Sequence, residues 1–199
     1  MDFLVEMTTH VPPGISQDAV DDMLLREAAR ARELAAEGHL LRLWRPPLAP
    51  GQWRTLGLFA ADEADQLEQK LTSMPLRIWR TDTVTQLAQH PNDPGLGSAV
   101  SEFLTTLTIT VPSGTKDAEV DDRKAREAVR AAELAGQGRL LRLWTPSNAP
   151  GVWRTLGLWG ADDQGDLMSI LQSLPLYDWM TVDATPLLVH PSDPANGRA

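Results

Sequence analysis

The sequence predicts an α+β fold in which two ferredoxin-like βαββαβ repeats pair as a pseudo-dimer. Three observations carry this prediction. The chain matches itself at an offset of 100 residues: LLRLW at 40–44 returns at 140–144, APG at 49–51 at 149–151, and WRTLGL at 53–58 at 153–158. Pairing 2–95 with 102–195 gives 48 identities in 94 positions without a gap. Each copy then runs through the same order of strand, helix, two strands, helix and strand. Finally, in LLRLW, Leu41 and Leu43 point one way while Leu40, Arg42 and Trp44 point the other, so neither sheet face is polar and the uncovered one needs a partner sheet.

The elements follow from local pattern. Residues 2–11 and 102–111 are β-branched and alternating, hence strands, each ended by Pro12 or Pro112. A helix rich in Ala, Arg, Glu and Leu occupies about 17–37 and 117–137, stopped by Gly38 and Gly138. LLRLW and WRTLGL form a strand pair around the Ala-Pro-Gly turn. Asp62 and Asp162 are expected N-caps of a second helix, which ends before Pro75 and Pro175. A last strand spans about 78–89 and its counterpart. The expected domains are 1–95 and 102–195, with a Pro-, Gly- and Ser-containing linker around 96–101 and a tail at 196–199.

Composition narrows the function. Eighteen Lys plus Arg against 27 Asp plus Glu give a net charge of −9, which opposes binding to a phosphate backbone and excludes nucleic acid as the expected partner. No apolar run reaches the length of a membrane span, and the N-terminal residues have no signal-like pattern, so a soluble, cytoplasmic protein is expected. With no cysteine, thiol nucleophiles and disulfides are ruled out. No metal-ligand spacing, phosphate loop or dinucleotide fingerprint occurs, so neither a metal nor a cofactor is expected.

The first helix bears the most informative side chain. Val20, Glu27, Ala31 and Leu34 fall on one stripe, and Val120, Glu127, Ala131 and Leu134 repeat it, so a carboxylate interrupts an apolar face in both copies. Burial would raise its proton affinity and suit it to general acid/base work. The alternative is a glutamate at the stripe's edge, paired with Arg30 or Arg130. Arg42 with Trp44, and Arg142 with Trp144, could cradle a small carboxylate between guanidinium and indole; an ion pair between sheets or subunits is the other use of such an arginine. Arg54 and Arg154, beside Trp53 and Trp153, repeat the idea near a turn. His90 and His190 recur, each followed by Pro and then Asp-Pro, where a histidine either caps backbone or enters a site.

Taken in order, these features resemble the muconolactone delta-isomerases. In the first copy they are Pro12, Glu27, Gly38, Leu43-Trp44-Arg45, Gly57-Leu58-Phe59, Ala61-Asp62, Met74-Pro75-Leu76 with Trp79, and His90-Pro91. The second copy has Pro112, Glu127, Gly138, Leu143-Trp144, Gly157-Leu158-Trp159, Ala161-Asp162, Leu174-Pro175-Leu176 with Trp179, and His190-Pro191. The resemblance implies a dimeric α+β-barrel arrangement and a homo-oligomeric ring, in which five duplicated chains would supply ten domains. It further implies a cofactor-free proton shift in a small anionic unsaturated lactone of aromatic-compound catabolism. On that expectation Glu27 and Glu127 are the acid/base groups. Arg42, Trp44, Arg142, Trp144, His90, His190, Arg54 and Arg154 then bind the small-molecule substrate.

The copies differ from each other at Leu24/Lys124, Arg45/Thr145, Gln52/Val152 and Arg80/Met180, so equal activity of the two does not follow. The competing expectation is a non-catalytic binding or assembly module that keeps the fold, with Glu27 paired to arginine in closed packing. An oxygen-dependent monooxygenase of related small barrels fits the His and Trp spacing poorly.

Overall fold

A computed structural model describes residues 1–95, 97–147 and 152–197. Three sequence-based assignments therefore lie outside the described residues: the second Ala-Pro-Gly turn at 149–151, Leu96 of the linker, and the last two residues of the tail.

The chain divides into two compact units, Met1–Leu87 with Leu188–Ala199, and Ala88–Leu187. Their borders do not follow the sequence repeat. The residues that end each copy, from 88 and from 188 onward, belong to the unit built mainly from the other copy.

In the first unit, β1 (Asp2–Thr9) is followed by α1 (Gln17–Ala36), β2 (Leu40–Arg45), β3 (Arg54–Ala60), α2 (Ala64–Thr72) and β4 (Arg80–Gln89). The strands are antiparallel in the order β4-β1-β3-β2, with Val5 opposite Gly57 on one side and Val84 on the other. The second unit repeats the pattern as β5 (Glu102–Ile109), α3 (Asp117–Gly136), β6 (Leu140–Pro146), β7 (Arg154–Gly160), α4 (Gln164–Gln172) and β8 (Met180–Val189), ordered β8-β5-β7-β6. Both units are thus the βαββαβ arrangement that the sequence predicts. The final residues of β8 extend the first sheet, where Val189 and Leu188 pair with Trp44 and Arg45.

Local chemistry explains the elements. Every second residue of β1 is buried, placing Phe3, Val5 and Met7 in the core with Ala31 and Leu34 of α1. The Ser16 hydroxyl caps α1 by accepting from the Ala19 N–H at 3.3 Å, and Gly38 takes the left-handed conformation, φ +78°, that ends the helix.

Three details differ from expectation. The second helices begin one residue later than Asp62 and Asp162 imply: Glu63 and Asp163 occupy the N-cap, and only Asp163 accepts a cap bond, from the Asp166 N–H. The last strands start at residue 80 and its counterpart, because Pro75–Trp79 forms a 3-10 turn first. In β2 strict alternation fails. A register shift between Leu40 and Arg42 brings Leu40 and Leu43 into one core cluster, and Leu140 and Leu143 do the same in the second unit.

Candidate active site

Each unit holds a cavity bounded by its first helix. In the first unit it measures about 660 Å³ and is lined by Glu27, Arg45, Trp53, Thr55, Arg80 and His190 among others. In the second it measures about 460 Å³, with Lys124, Glu127, Trp153, Thr155, Met180 and His90 in its lining.

The glutamates enter because the spacing of α1 and α3 turns them toward the sheet in line with Ala31 and Ala131. Neither pairs with the arginine one turn on; Arg30 and Arg130 instead bind Glu33 and Glu133, each at 2.8 Å. The amide N–H of Leu76 donates to Glu27 Oε2 at 2.8 Å, and that of Leu176 donates to Glu127 Oε2 at 3.0 Å. These amides sit at the Pro-Leu turn that follows the second helix, which explains why Met74-Pro75-Leu76 and Leu174-Pro175-Leu176 accompany the glutamates. Burial raises the pKa of both carboxyls above the ordinary value, and the donated amide opposes it in each.

Their surroundings differ sharply. Arg80 Nη1 donates to Glu27 Oε1 at 3.1 Å, while Arg80 Nε binds Asp82 at 2.7 Å and Asp82 also meets Arg77 at 3.0 Å. Met180 stands at the corresponding place in the second unit. Among the described residues, no side chain is within ion-pair or hydrogen-bond reach of Glu127.

The histidines reach their cavities through the exchanged ends of the copies. His190 lines the cavity of Glu27, and His90 that of Glu127. Their backbone N–H groups bond to Leu43 and Leu143 carbonyls, and each ring Nδ1 accepts a backbone N–H at 3.1 Å, from Ser192 and Asn92 respectively. A backbone amide can only donate, so Nδ1 is unprotonated and the neutral ring carries its proton on Nε2. Burial lowers both pKa values, that of His190 to about 4 with help from the Arg45 charge.

Arg42 and Arg142 do not line either cavity. Arg42 Nε is 3.2 Å from both oxygens of Asp193, Arg142 Nε is 3.0 Å from Asp93, and their guanidinium groups lie 4.9 and 4.6 Å from the Trp44 and Trp144 ring centres. The arginine and indole meet as the sequence indicates, but around an internal carboxylate rather than in a cavity. Arg54 lies 3.7 Å from Glu6, Arg154 Nε donates to Thr108 at 3.4 Å, and neither lines a cavity. Asp93, Asp193, Arg45, Arg80 and Lys124 are the participants that sequence reasoning passed over as site residues. The recurrence of Asp in His-Pro-x-Asp-Pro was the visible signal for the first two.

Fold and site together define a tandem pair of small ferredoxin-like α+β units, each carrying a partly buried carboxylate and a neutral imidazole in one cavity. Residues 1–93 and 101–193 both match the muconolactone delta-isomerase family, and the chain belongs to that family as a tandem duplicate. A muconolactone delta-isomerase of Cupriavidus pinatubonensis is 29% identical over 90 residues, covering 45% of this chain and 95% of that protein. One from Rhodococcus opacus is 26% identical over 91 residues, covering 46% and 95%. A heme-binding protein from Thermus thermophilus superposes with a TM-score of 0.61 at 9% identity over 96% of this chain and 92% of that one, a likeness of fold alone. Among the described residues, no helix is long and apolar enough to cross a membrane, and no group of three or more His, Asp and Glu side chains could hold a metal ion.

Proposed function

We propose that the chain is an isomerase that moves a proton within a small anionic unsaturated lactone, or a related ring acid, in aromatic-compound catabolism. One observation carries this reading: in each unit a partly buried glutamate with raised proton affinity shares a cavity with an imidazole that is neutral near pH 7. The names of the relatives support the substrate class, and both cavity volumes fall in the range of roughly 300–1,000 Å³ typical of small-molecule pockets.

The carboxylate takes a C–H proton that is acidified by conjugation to the lactone carbonyl. The electron pair moves onto the carbonyl oxygen, and the Nε2–H of the histidine donates a hydrogen bond to that developing charge. The protonated glutamate then returns the proton at another carbon of the conjugated system, so no net atom is gained or lost. Arg42 and Arg142 are engaged by Asp193 and Asp93, and Arg80 by Glu27 and Asp82, which leaves Arg45 in one cavity and Lys124 in the other as the cations for the substrate carboxylate.

The test is E27Q/E127Q, assayed for isomerisation and solvent proton exchange on a panel of unsaturated lactone acids. A rate drop on the order of 100-fold or more is expected with the fold retained; an unchanged rate overturns the assignment. The non-catalytic alternative has one observation in its favour, the Glu27–Arg80 ion pair, and that pair occurs in only one unit.

A further inference from the structure

We infer that the two cavities do different work: Glu127 performs the proton transfer, and Glu27 is held as a structural carboxylate by Arg80. This inference rests on the isomerase reading above.

A general base must accept and release a proton in every turnover. Both oxygens of Glu27 are already occupied, Oε1 by Arg80 Nη1 at 3.1 Å and Oε2 by the Leu76 amide at 2.8 Å. Protonating Glu27 would remove one of the two counter-charges, Glu27 and Asp82, from a guanidinium whose side chain is only 2% exposed. Arg80 cannot swing away freely. Asp82 grips its Nε at 2.7 Å and Nη2 at 3.0 Å, and Asp82 is itself held by Arg77 at 3.0 Å. Glu27 is therefore the end of a chain of five alternating charges, Glu68, Arg77, Asp82, Arg80 and Glu27, that runs from α2 through the 3-10 turn and β4 to α1.

In the second unit the whole network is replaced together. Tyr177, Met180 and Val182 stand where Arg77, Arg80 and Asp82 stand in the first. Glu127 keeps the orienting amide of Leu176 on one oxygen, and among the described residues no cation pairs with the other. The helix also gains Lys124, one turn before Glu127, where the first copy has Leu24. Lys124 Nζ lies 5.1 Å from the Trp153 ring centre, and both side chains line the Glu127 cavity. Cation and base thus line one cavity from α3, one turn apart, the arrangement that proton transfer from a bound ring acid requires.

The test compares wild type, E127Q, and E127Q carrying R80M/D82V, which installs the second copy's residues beside Glu27. Isomerisation and solvent deuterium exchange are measured on the lactone panel, with thermal melting to establish folding. E127Q is expected to retain less than a tenth of wild-type activity, and R80M/D82V to raise that residual rate at least tenfold. E127Q retaining about half of the activity overturns this inference alone. A folded E127Q/R80M/D82V chain no more active than E127Q also overturns it; R80M alone replaces the pair if the latter does not fold, since Asp82 then keeps Arg77. A wild-type chain that exchanges no proton on any lactone overturns the isomerase reading itself, and this inference with it.

Discussion

Arg42 and Asp193 are 151 positions apart in the chain and form a buried ion pair, with Arg42 Nε 3.2 Å from each carboxylate oxygen and the Asp193 side chain fully enclosed. Arg142 and Asp93 repeat the pair. The aspartates sit two residues beyond His190-Pro191 and His90-Pro91, so the pairs tie down the segments that deliver the two histidines. Breaking a buried pair by removing one partner strands the other charge, and D193A or D93A is expected to cost about 3–5 kcal/mol. Urea unfolding checks this; a loss below about 1 kcal/mol in both variants would show that the pairs do not anchor these segments.

The raised pKa of Glu127 links activity to stability. Above its folded pKa the native chain holds an ionised carboxylate at a burial cost that the unfolded chain does not bear, so this group favours the native state most below 4.5 and loses that contribution as pH rises through the folded value. E127Q, which can still accept the Leu176 amide, should therefore melt higher than wild type at pH 7, with the advantage shrinking as pH falls toward 4.5. In the active wild type, the acid limb of kcat/KM should lie above 4.5, since the base must be ionised. An E127Q chain that melts lower than wild type at pH 7 contradicts this account.

The histidines act with the opposite sign. Their pKa values are depressed from 6.5, to about 4 for His190, so below pH 6.5 the unfolded chain takes up protons that the native rings refuse. Their contribution is full above 6.5 and is lost as pH falls toward 4. H90N/H190N should lose less melting temperature than wild type between pH 7 and pH 4.5. An identical loss in both would show that the rings are not buried as neutral groups.

Gly57 and Gly157 lie in mid-strand because the ring two residues later folds back over them. A Cβ at Gly157 would strike the Trp159 indole and approach Thr105 Oγ1 at 3.0 Å, where Trp159 Nε1 donates at 2.8 Å; at Gly57 it would meet the Phe59 ring. G157A is expected to cost about 1–3 kcal/mol through overpacking. Differential scanning calorimetry measures it, and a neutral change would mean that the ring has room to move.

Much of this was legible before the structure. The stripe that carries Glu27 and Glu127 is a local property of a 3.6-residue period, and it placed a carboxylate on an apolar helix face while leaving open whether that carboxylate turns inward or pairs at the edge with Arg30 or Arg130. Alternation in β1 foretold the buried set Phe3, Val5 and Met7. LLRLW was misread in part, because the register shift after Leu40 cannot be seen in a period-2 pattern. Arg42 beside Trp44 was visible as a cation on an indole, but its carboxylate partner lies at the other end of the chain.

The sequence by itself determined that the chain is a duplicated βαββαβ protein and that each copy carries one glutamate on the apolar stripe of its first helix, since periodicity, turn residues and the 100-residue repeat act over short stretches. The tertiary structure alone decided the pairing of distant groups. It joined His190 to the cavity of Glu27 and His90 to that of Glu127, spent Arg42 and Arg142 on Asp193 and Asp93, and locked Glu27 but not Glu127 to an arginine. Burial and electrostatic partners depend on which segments fold against one another, and that information is long-range: two copies alike in about half their residues end with differently charged surroundings because Arg77, Arg80 and Asp82 give way to Tyr177, Met180 and Val182, and Leu24 to Lys124.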